Sequence, residues 1–352
     1  MALSPLAAVA LSAALFGIST PLAKLLLGDI HPIALAGLLY AGVFLGLGAC
    51  RVAGRFMNRG SRAPGDSREA PLGRRDLPWL AGAILAGGVF APICLMLGLS
   101  RTSGFAASLL INFEAAATAL VAVFLFRESA GRRVWFALAL MTAGGALLSW
   151  DPGRGRLELT GPLLVLAAMA GWGLDNNLTR QISDKDPVQI AMAKGLVAGA
   201  VALGLAFSLG RGFALGPPVA AGLAVGAVCY GLSLVLFIKA LKGLGAFRTG
   251  ALFSLGPFVG ALASIALLGD RVGPLTAAAG LLMAGAVALV ILEEHTHAHH
   301  HDRLVHSHAH VHSDLHHGHA QGDKAGEPHA HEHVHEELDH VHGHWPDTHH
   351  RH

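Results

Sequence analysis

Charge is scarce in this chain. Asp, Glu, Lys and Arg make up 14% of its 352 residues, whereas an ordinary soluble domain carries about 25%. Much of that small stock sits in residues 51–76 and in the C-terminal stretch, so what lies before residue 293 is poorer still. A water-facing globule is excluded. Cysteine is rare too: Cys50, Cys94 and Cys229 lie far apart in apolar segments. They lack metal-ligand spacing and read as small buried apolar side chains. Glycine-rich phosphate loops in a strand–loop–helix setting are missing, and so are HExxH, GxSxG and paired intramembrane aspartates. That removes ATP as the energy source and leaves no support for an intramembrane enzyme. Nothing in the charge pattern calls for nucleic acid. Histidine is absent from the first 294 residues except at His31, yet the chain holds 23 of them.

What is present is a succession of Leu, Ala, Gly and Val runs of roughly twenty residues, the length a helix needs to cross about 30 Å of hydrocarbon. The fold class expected is therefore an all-α polytopic membrane protein with spans near 4–27, 31–50, 77–99, 104–126, 133–150, 160–181, 188–209, 217–238, 246–268 and 273–292. The first run lacks a basic leading region and is too long for a signal-peptide core, so it reads as a retained span. Basic residues crowd alternate loops: 51–76, then Arg127, Arg132 and Arg133, then Arg180 and Lys185, then Lys239, Lys242 and Arg248. Lys and Arg are held on the cytoplasmic side, which puts both termini in the cytoplasm of a cell with the chain in its inner membrane.

The halves echo each other. "LFGISTPLAK" (15–24) lines up with "GWGLDNNLTR" (171–180), so Phe16 falls on Trp172 and Lys24 on Arg180. Pro32 then meets Pro187, Glu128 meets Asp270, and Gly131 meets Gly273. The offset shortens from 156 to 142 residues along the way, as the longer basic loop of the first half requires. Five spans is an odd number, so the second copy enters the membrane inverted, an architecture common among secondary transporters whose sites lie at the midplane between repeats. The expected domains are 1–150 and 159–292 as five-helix repeats, with 293–352 as a histidine-rich cytoplasmic tail.

With "ALFGISTPLAK" opening the first half, and "FLFRESAGRRVWFALALMTAGGALL" and "ALLGDRVGPLTAAAGLLMAGAVALV" closing the halves, the chain resembles the EamA domains of the drug/metabolite transporter superfamily. The resemblance implies alternating access around a central cavity lined by the first, third, fourth, sixth, eighth and ninth spans. It implies no particular substrate. Relatives often carry a proline midway along the fourth span, where this chain has Ala115; the matching position of the ninth span keeps Pro257.

Ionisable groups in the hydrocarbon cost about 2.5–3.5 kcal/mol on insertion scales, so they face protein or water and often mark function. Glu114 lies near the middle of the fourth span, with Thr118 four residues on and so on the same helix face; Asn112 points elsewhere, towards a neighbour. Glu114 reads as a proton-titrating or cation-binding carboxylate, or alternatively as a group that pins packing. Asp175, Asn176 and Asn177 interrupt the sixth span. Neighbours on a helix are about 100° apart, so one of the three leaves the cavity face unless the helix is irregular. Trp172 sits three residues before Asp175, adding an aromatic wall. The matching first-half residues are Ser19, Thr20 and Pro21, so the two halves offer different chemistry. Lys194 and Asp175 reach a similar depth, roughly 9 Å from the cytoplasmic boundary at 1.5 Å per residue, where they pair or where the lysine snorkels to the headgroups. These residues form the candidate substrate site. His31, beside Asp29 and Pro32, reads as a loop residue.

The tail alternates histidine with other residues and mixes in Asp and Glu, unlike an uninterrupted purification tag. It holds too few apolar side chains to form a core and is expected to lack structure without a ligand. His-x-His puts two imidazoles on one side of an extended chain, which suits Zn²⁺, Ni²⁺, Co²⁺ or Cu²⁺. The candidate ligands are His295, His297, His299, His300, His301, His306, His308, His310, His312, His331, His333 and His335. No cofactor is required for transport itself. The function expected is a secondary carrier of a small molecule or ion, proton- or cation-coupled through Glu114. A divalent-metal exporter and a membrane metal sensor or store are the alternatives. Lipids and the substrate are the expected partners, and a second copy of the chain is left open.

Overall fold

The computed structural model describes residues 4–57, 71–126, 132–151, 156–182, 185–237, 240, 249 and 252–291, and in the tail 295–301, 304–310, 329–335 and 338–344. The helices are α1 (Pro5–Leu26), α2 (Pro32–Met57), α3 (Arg74–Leu99), α4 (Gly104–Leu125), α5 (Arg132–Leu148), α6 (Thr160–Arg180), α7 (Pro187–Ser208), α8 (Pro217–Phe237), α9 (Gly256–Leu268) and α10 (Pro274–Ile291). Their starts follow from local chemistry. Ser4 accepts a hydrogen bond from Ala7 N at 3.3 Å ahead of Pro5, Ser103 accepts one from Ala106 N at 3.1 Å, and Asp186 accepts one from Val188 N at 2.9 Å ahead of Pro187. Each satisfies amide donors that a first helical turn leaves open. At the far end of α9, Gly269 takes the left-handed conformation, φ 68°, and stops the helix.

Among the described residues, six helices are long and apolar enough to cross a membrane: α1, α2, α3, α4, α7 and α8. Apolar stretches of α5, α9 and α10 are shorter. Helix α6 has 21 residues, but Asp175, Asn176 and Asn177 depress its hydropathy. The apolar run predicts a fifth span to residue 150; the helix instead ends at Leu148, and Trp150–Asp151 pairs antiparallel with Arg156–Leu157 as a short β1–β2 ladder.

Packing repeats with the halves. Helix α1 packs on α9 and α6 on α4; α2 packs on α7 and α5 on α10; α2 also meets α8, and α7 meets α3. Exchanging each helix for the one five places later leaves this set of neighbours unchanged. Two irregularities recur with it. Helix α3 widens into a π-helical stretch at Ile84–Phe90 and α8 does so at Gly226–Leu232, positions 142 residues apart. Helix α4 breaks at Ile111–Asn112 and the approach to α9 turns at 254–255. The Glu128 and Gly131 members of the sequence matches lie outside the described residues. The core is a mixture of side chains from α2, α3, α4 and α6, with Leu35, Leu95, Leu99, Leu109 and Met169 almost fully enclosed. Between α1 and α8, Ser12 and Ser233 bond each other's carbonyls at 2.7 and 2.9 Å, so two buried hydroxyls are satisfied reciprocally.

In the tail, where the sequence suggests no structure without a ligand, the described backbone is extended. His295–His301 (β3) pairs antiparallel with Leu338–His344 (β6), and Leu304–His310 (β4) with His329–His335 (β5). Alternation with a period of two suits a strand as well as it suits chelation. The register sets His297 opposite His342 and His306 opposite His333.

Candidate functional site

Helix α6 stays regular through Arg180, so its three consecutive polar residues must fan apart, and they do. Asp175 turns towards α7, where Lys194 Nζ donates to its Oδ1 at 2.5 Å. Thr179 Oγ1 donates to the same oxygen at 2.8 Å and accepts from Lys194 at 2.9 Å. Lysine and aspartate are both largely enclosed, with side-chain exposures of 16% and 11%, so this is a closed ion pair and not a lysine reaching for headgroups. Asn176 turns towards α4: its Nδ2 lies 3.1 Å from Glu114 Oε1 and 3.1 Å from Thr118 Oγ1. Asn177 donates to Thr118 O at 3.0 Å and to Gly173 O at 2.8 Å. Glu114, Thr118, Asn176 and Asn177 therefore form one α4–α6 network, and Asp175 with Lys194 forms a second.

Asn112 belongs to neither. Its Nδ2 turns back to Leu109 O of its own helix at 3.0 Å, beside the Asn112 N–H that bonds the same carbonyl at 3.1 Å, which corrects the expectation that it points to a neighbouring helix. Glu114 is the second residue of the segment that resumes at Phe113, in its first turn and two residues past the break.

Two glycines let the helices come this close. A Cβ on Gly173 would lie 2.7 Å from Ala117 C and 2.8 Å from Thr118 N, against backbone that cannot step aside. Gly173→Val is expected to force α6 off α4 and cost about 1–3 kcal/mol by overpacking, read as a lower denaturation midpoint in detergent. An unchanged midpoint would mean that α4 and α6 do not pack this way. A Cβ on Gly87 would overlap the Asp175 carboxylate.

Gly87 also carries the part of the site that pattern reading missed. It lies in the π-helical stretch of α3, where the wider turn frees a carbonyl from the ladder, and that carbonyl accepts from Tyr40 Oη at 2.8 Å and from Trp172 Nε1 at 3.0 Å. The rings continue across the bundle. Phe16 on α1 lies 6.2 Å from Trp172, 5.9 Å from Tyr230 and 5.3 Å from Phe253 between ring centroids, and Tyr40 lies 6.4 Å from Tyr230. Glu114 is within electrostatic reach of Asp175, Tyr40 and Tyr230. Tyr40 and Tyr230 are the chain's two tyrosines, and that scarcity was the signal available in the sequence.

At one end of the bundle, Lys24 Nζ donates to Leu99 O at 2.6 Å and to Thr102 O at 2.9 Å, while Asp270 accepts from Phe105 N at 2.8 Å. His31 is a loop residue: its Nδ1 accepts from Ile33 N at 3.3 Å, and partial burial, then the nearby Arg211, hold its imidazole below the usual range. Among the described residues no three or more His, Cys, Asp or Glu are gathered as a preformed metal site; His312 lies outside them.

Comparison with known proteins places the arrangement. An uncharacterized transporter of Methanothermobacter thermautotrophicus is 29% identical over 285 residues, 78% of this chain and 82% of that protein. An uncharacterized protein of Pseudomonas aeruginosa is 31% identical over 153 residues, 43% of this chain and 53% of its own length. A crystal structure superposes with a TM-score of 0.57 at 18% identity, over 82% of this chain and 96% of that one, a likeness of fold. Residues 3–150 and 159–292 each match the EamA-like transporter family, the same halves that the internal repeat marks out, and the chain belongs to that family.

Proposed function

We propose that this membrane transporter is a secondary carrier whose ten helices span the inner membrane as two inverted repeats, with both termini in the cytoplasm. It works by alternating access, and Glu114 is the coupling group. One observation supports this reading: of the two carboxylates well inside the described helices, Asp175 is neutralised by Lys194, whereas Glu114 is met by the neutral amide of Asn176. A carboxylate in that position is free to exchange a proton or cation for substrate, and the α4 break puts it at a discontinuous helix, as substrate sites in secondary transporters often are. The test is direct. Proteoliposomes holding the full chain and a pH dye, challenged with a panel of amines, amino acids and organic anions, should show solute-dependent collapse of an imposed pH gradient. No collapse with any solute, in a preparation shown to be folded, removes the coupled-carrier reading.

The tail is a metal-binding element on the cytoplasmic side, taking Zn²⁺, Ni²⁺ or Co²⁺ through its alternating imidazoles. Only neutral imidazole ligates, so binding should be full above the imidazole range and lost below about pH 6. Isothermal titration with Zn²⁺ at pH 7.5 and 5.5 checks this, using the full chain and a version ending at Leu292. Equal binding by both versions would put the metal elsewhere. If truncation also changes cellular metal content, a divalent-metal exporter becomes the better reading, with a sensor or store as the case where content changes without flux.

A further inference from the structure

We infer that the aromatic rings and Glu114 together bind an organic cation, an amine or quaternary ammonium with apolar substituents; this names the substrate class of the proposed carrier and rests on that reading. Phe16, Tyr40, Trp172, Tyr230 and Phe253 come from α1, α2, α6, α8 and the approach to α9, and each ring lies within 6.4 Å of another. Phe16, Tyr40, Glu114, Tyr230 and Phe253 all keep part of their surface, although they sit near mid-length of the bundle. The rings, drawn from five elements and in mutual contact, converge between helices.

What they offer there is selective. Trp172 N–H and Tyr40 O–H are both spent on Gly87 O, so neither is left as a donor and Tyr40 offers its π face. The lysine that could meet an anion is spent on Asp175 and Thr179. Ring faces carry the negative end of the aromatic quadrupole and attract cations. With the Asp175–Lys194 pair summing to zero, Glu114 leaves one formal negative charge, enough for one monovalent cation. A bare divalent ion would need several oxygen or nitrogen ligands, and rings supply none. An anion finds no free positive group among the described residues here. Asp175, Tyr40 and Tyr230 lie within electrostatic reach of Glu114, and Lys194 is held by Asp175.

The full chain in lipid nanodiscs, titrated with radiolabelled benzyltrimethylammonium, tests the inference. Saturable binding is expected, with Zn²⁺, benzenesulfonate and the neutral isostere neopentylbenzene all poor competitors. Glu114→Gln should weaken binding by more than tenfold and Phe16→Leu by roughly tenfold, while Phe124→Leu, on the exposed face of α4 and outside the site, should bind as the unaltered chain does. Equal competition by neopentylbenzene, displacement by Zn²⁺ at equal concentration, or unchanged binding in Glu114→Gln would each overturn the cation site. Cation binding without flux in proteoliposomes would remove the carrier reading and leave this site standing. Glu114-dependent flux of an anionic or neutral solute, with no cation bound, would overturn the site alone.

Discussion

Glu114→Gln should reduce gradient-coupled transport to the level of protein-free liposomes while leaving the helix bundle folded. Glutamine keeps the size of the side chain and an oxygen for Asn176 Nδ2, now 3.1 Å from Glu114 Oε1, so the α4–α6 network loses a charge and not a contact. What disappears is the group able to carry a proton or counter a cation. Removing a half-enclosed carboxylate from the bundle also relieves a desolvation cost, so the variant should denature at the same midpoint as the parent chain or a higher one. Solute-dependent pH-gradient collapse measured beside a denaturation curve separates the two effects. Coupled transport at the parent rate in a folded variant would take Glu114 out of the mechanism.

The second large effect concerns the ion pair. Lys194→Met leaves Asp175 as an enclosed carboxylate with Thr179 as its remaining partner, and breaking a buried pair by removing one member costs about 3 kcal/mol or more. Asp175→Asn combined with Lys194→Met should recover most of that loss, because no charge then remains to be desolvated. The measurement is a double-mutant cycle on denaturation in detergent, and the coupling between the two positions should be well above the 0.5 kcal/mol or so expected of non-interacting sites. Additive losses would mean that the pair does not hold α6 to α7. A snorkelling lysine predicts almost no loss from Lys194→Met, so the same experiment decides between the two readings the sequence left open.

Much of the site was legible before any coordinates because helical geometry is rigid. Glu114 and Thr118 share a face by spacing alone, and the equal depth of Asp175 and Lys194 follows from 1.5 Å of rise per residue. The fan of Asp175, Asn176 and Asn177 follows from the 100° step. Which neighbour each would meet did not follow, since that depends on how closely α6 approaches α4, and Gly173 sets that distance through packing and not through sequence pattern. Asn112 shows the same limit: its own helix break, invisible in an apolar run, claims its side chain. The π-helical stretches of α3 and α8 leave no trace in hydropathy, so the Gly87 carbonyl and the two rings that converge on it emerge only from the packed bundle. The repeat, by contrast, is visible at both levels, because the 142-residue offset read from loop residues recurs in the positions of the two π-helical stretches.

Whether Glu114 and Asn176 face water inside the protein or lipid outside it is the question on which all of this turns. In a background with Cys50, Cys94 and Cys229 replaced, single cysteines at positions 114, 176 and 124 can be exposed in intact membranes to a charged, membrane-impermeant maleimide. Phe124 is 73% exposed on α4 and serves as the lipid-facing reference. Positions 114 and 176 should react rapidly and position 124 should not, since a thiol ionises and meets a charged reagent only where water reaches it. Reaction at 114 and 176 as slow as at 124 would place both side chains in the hydrocarbon and contradict a hydrated site between the repeats.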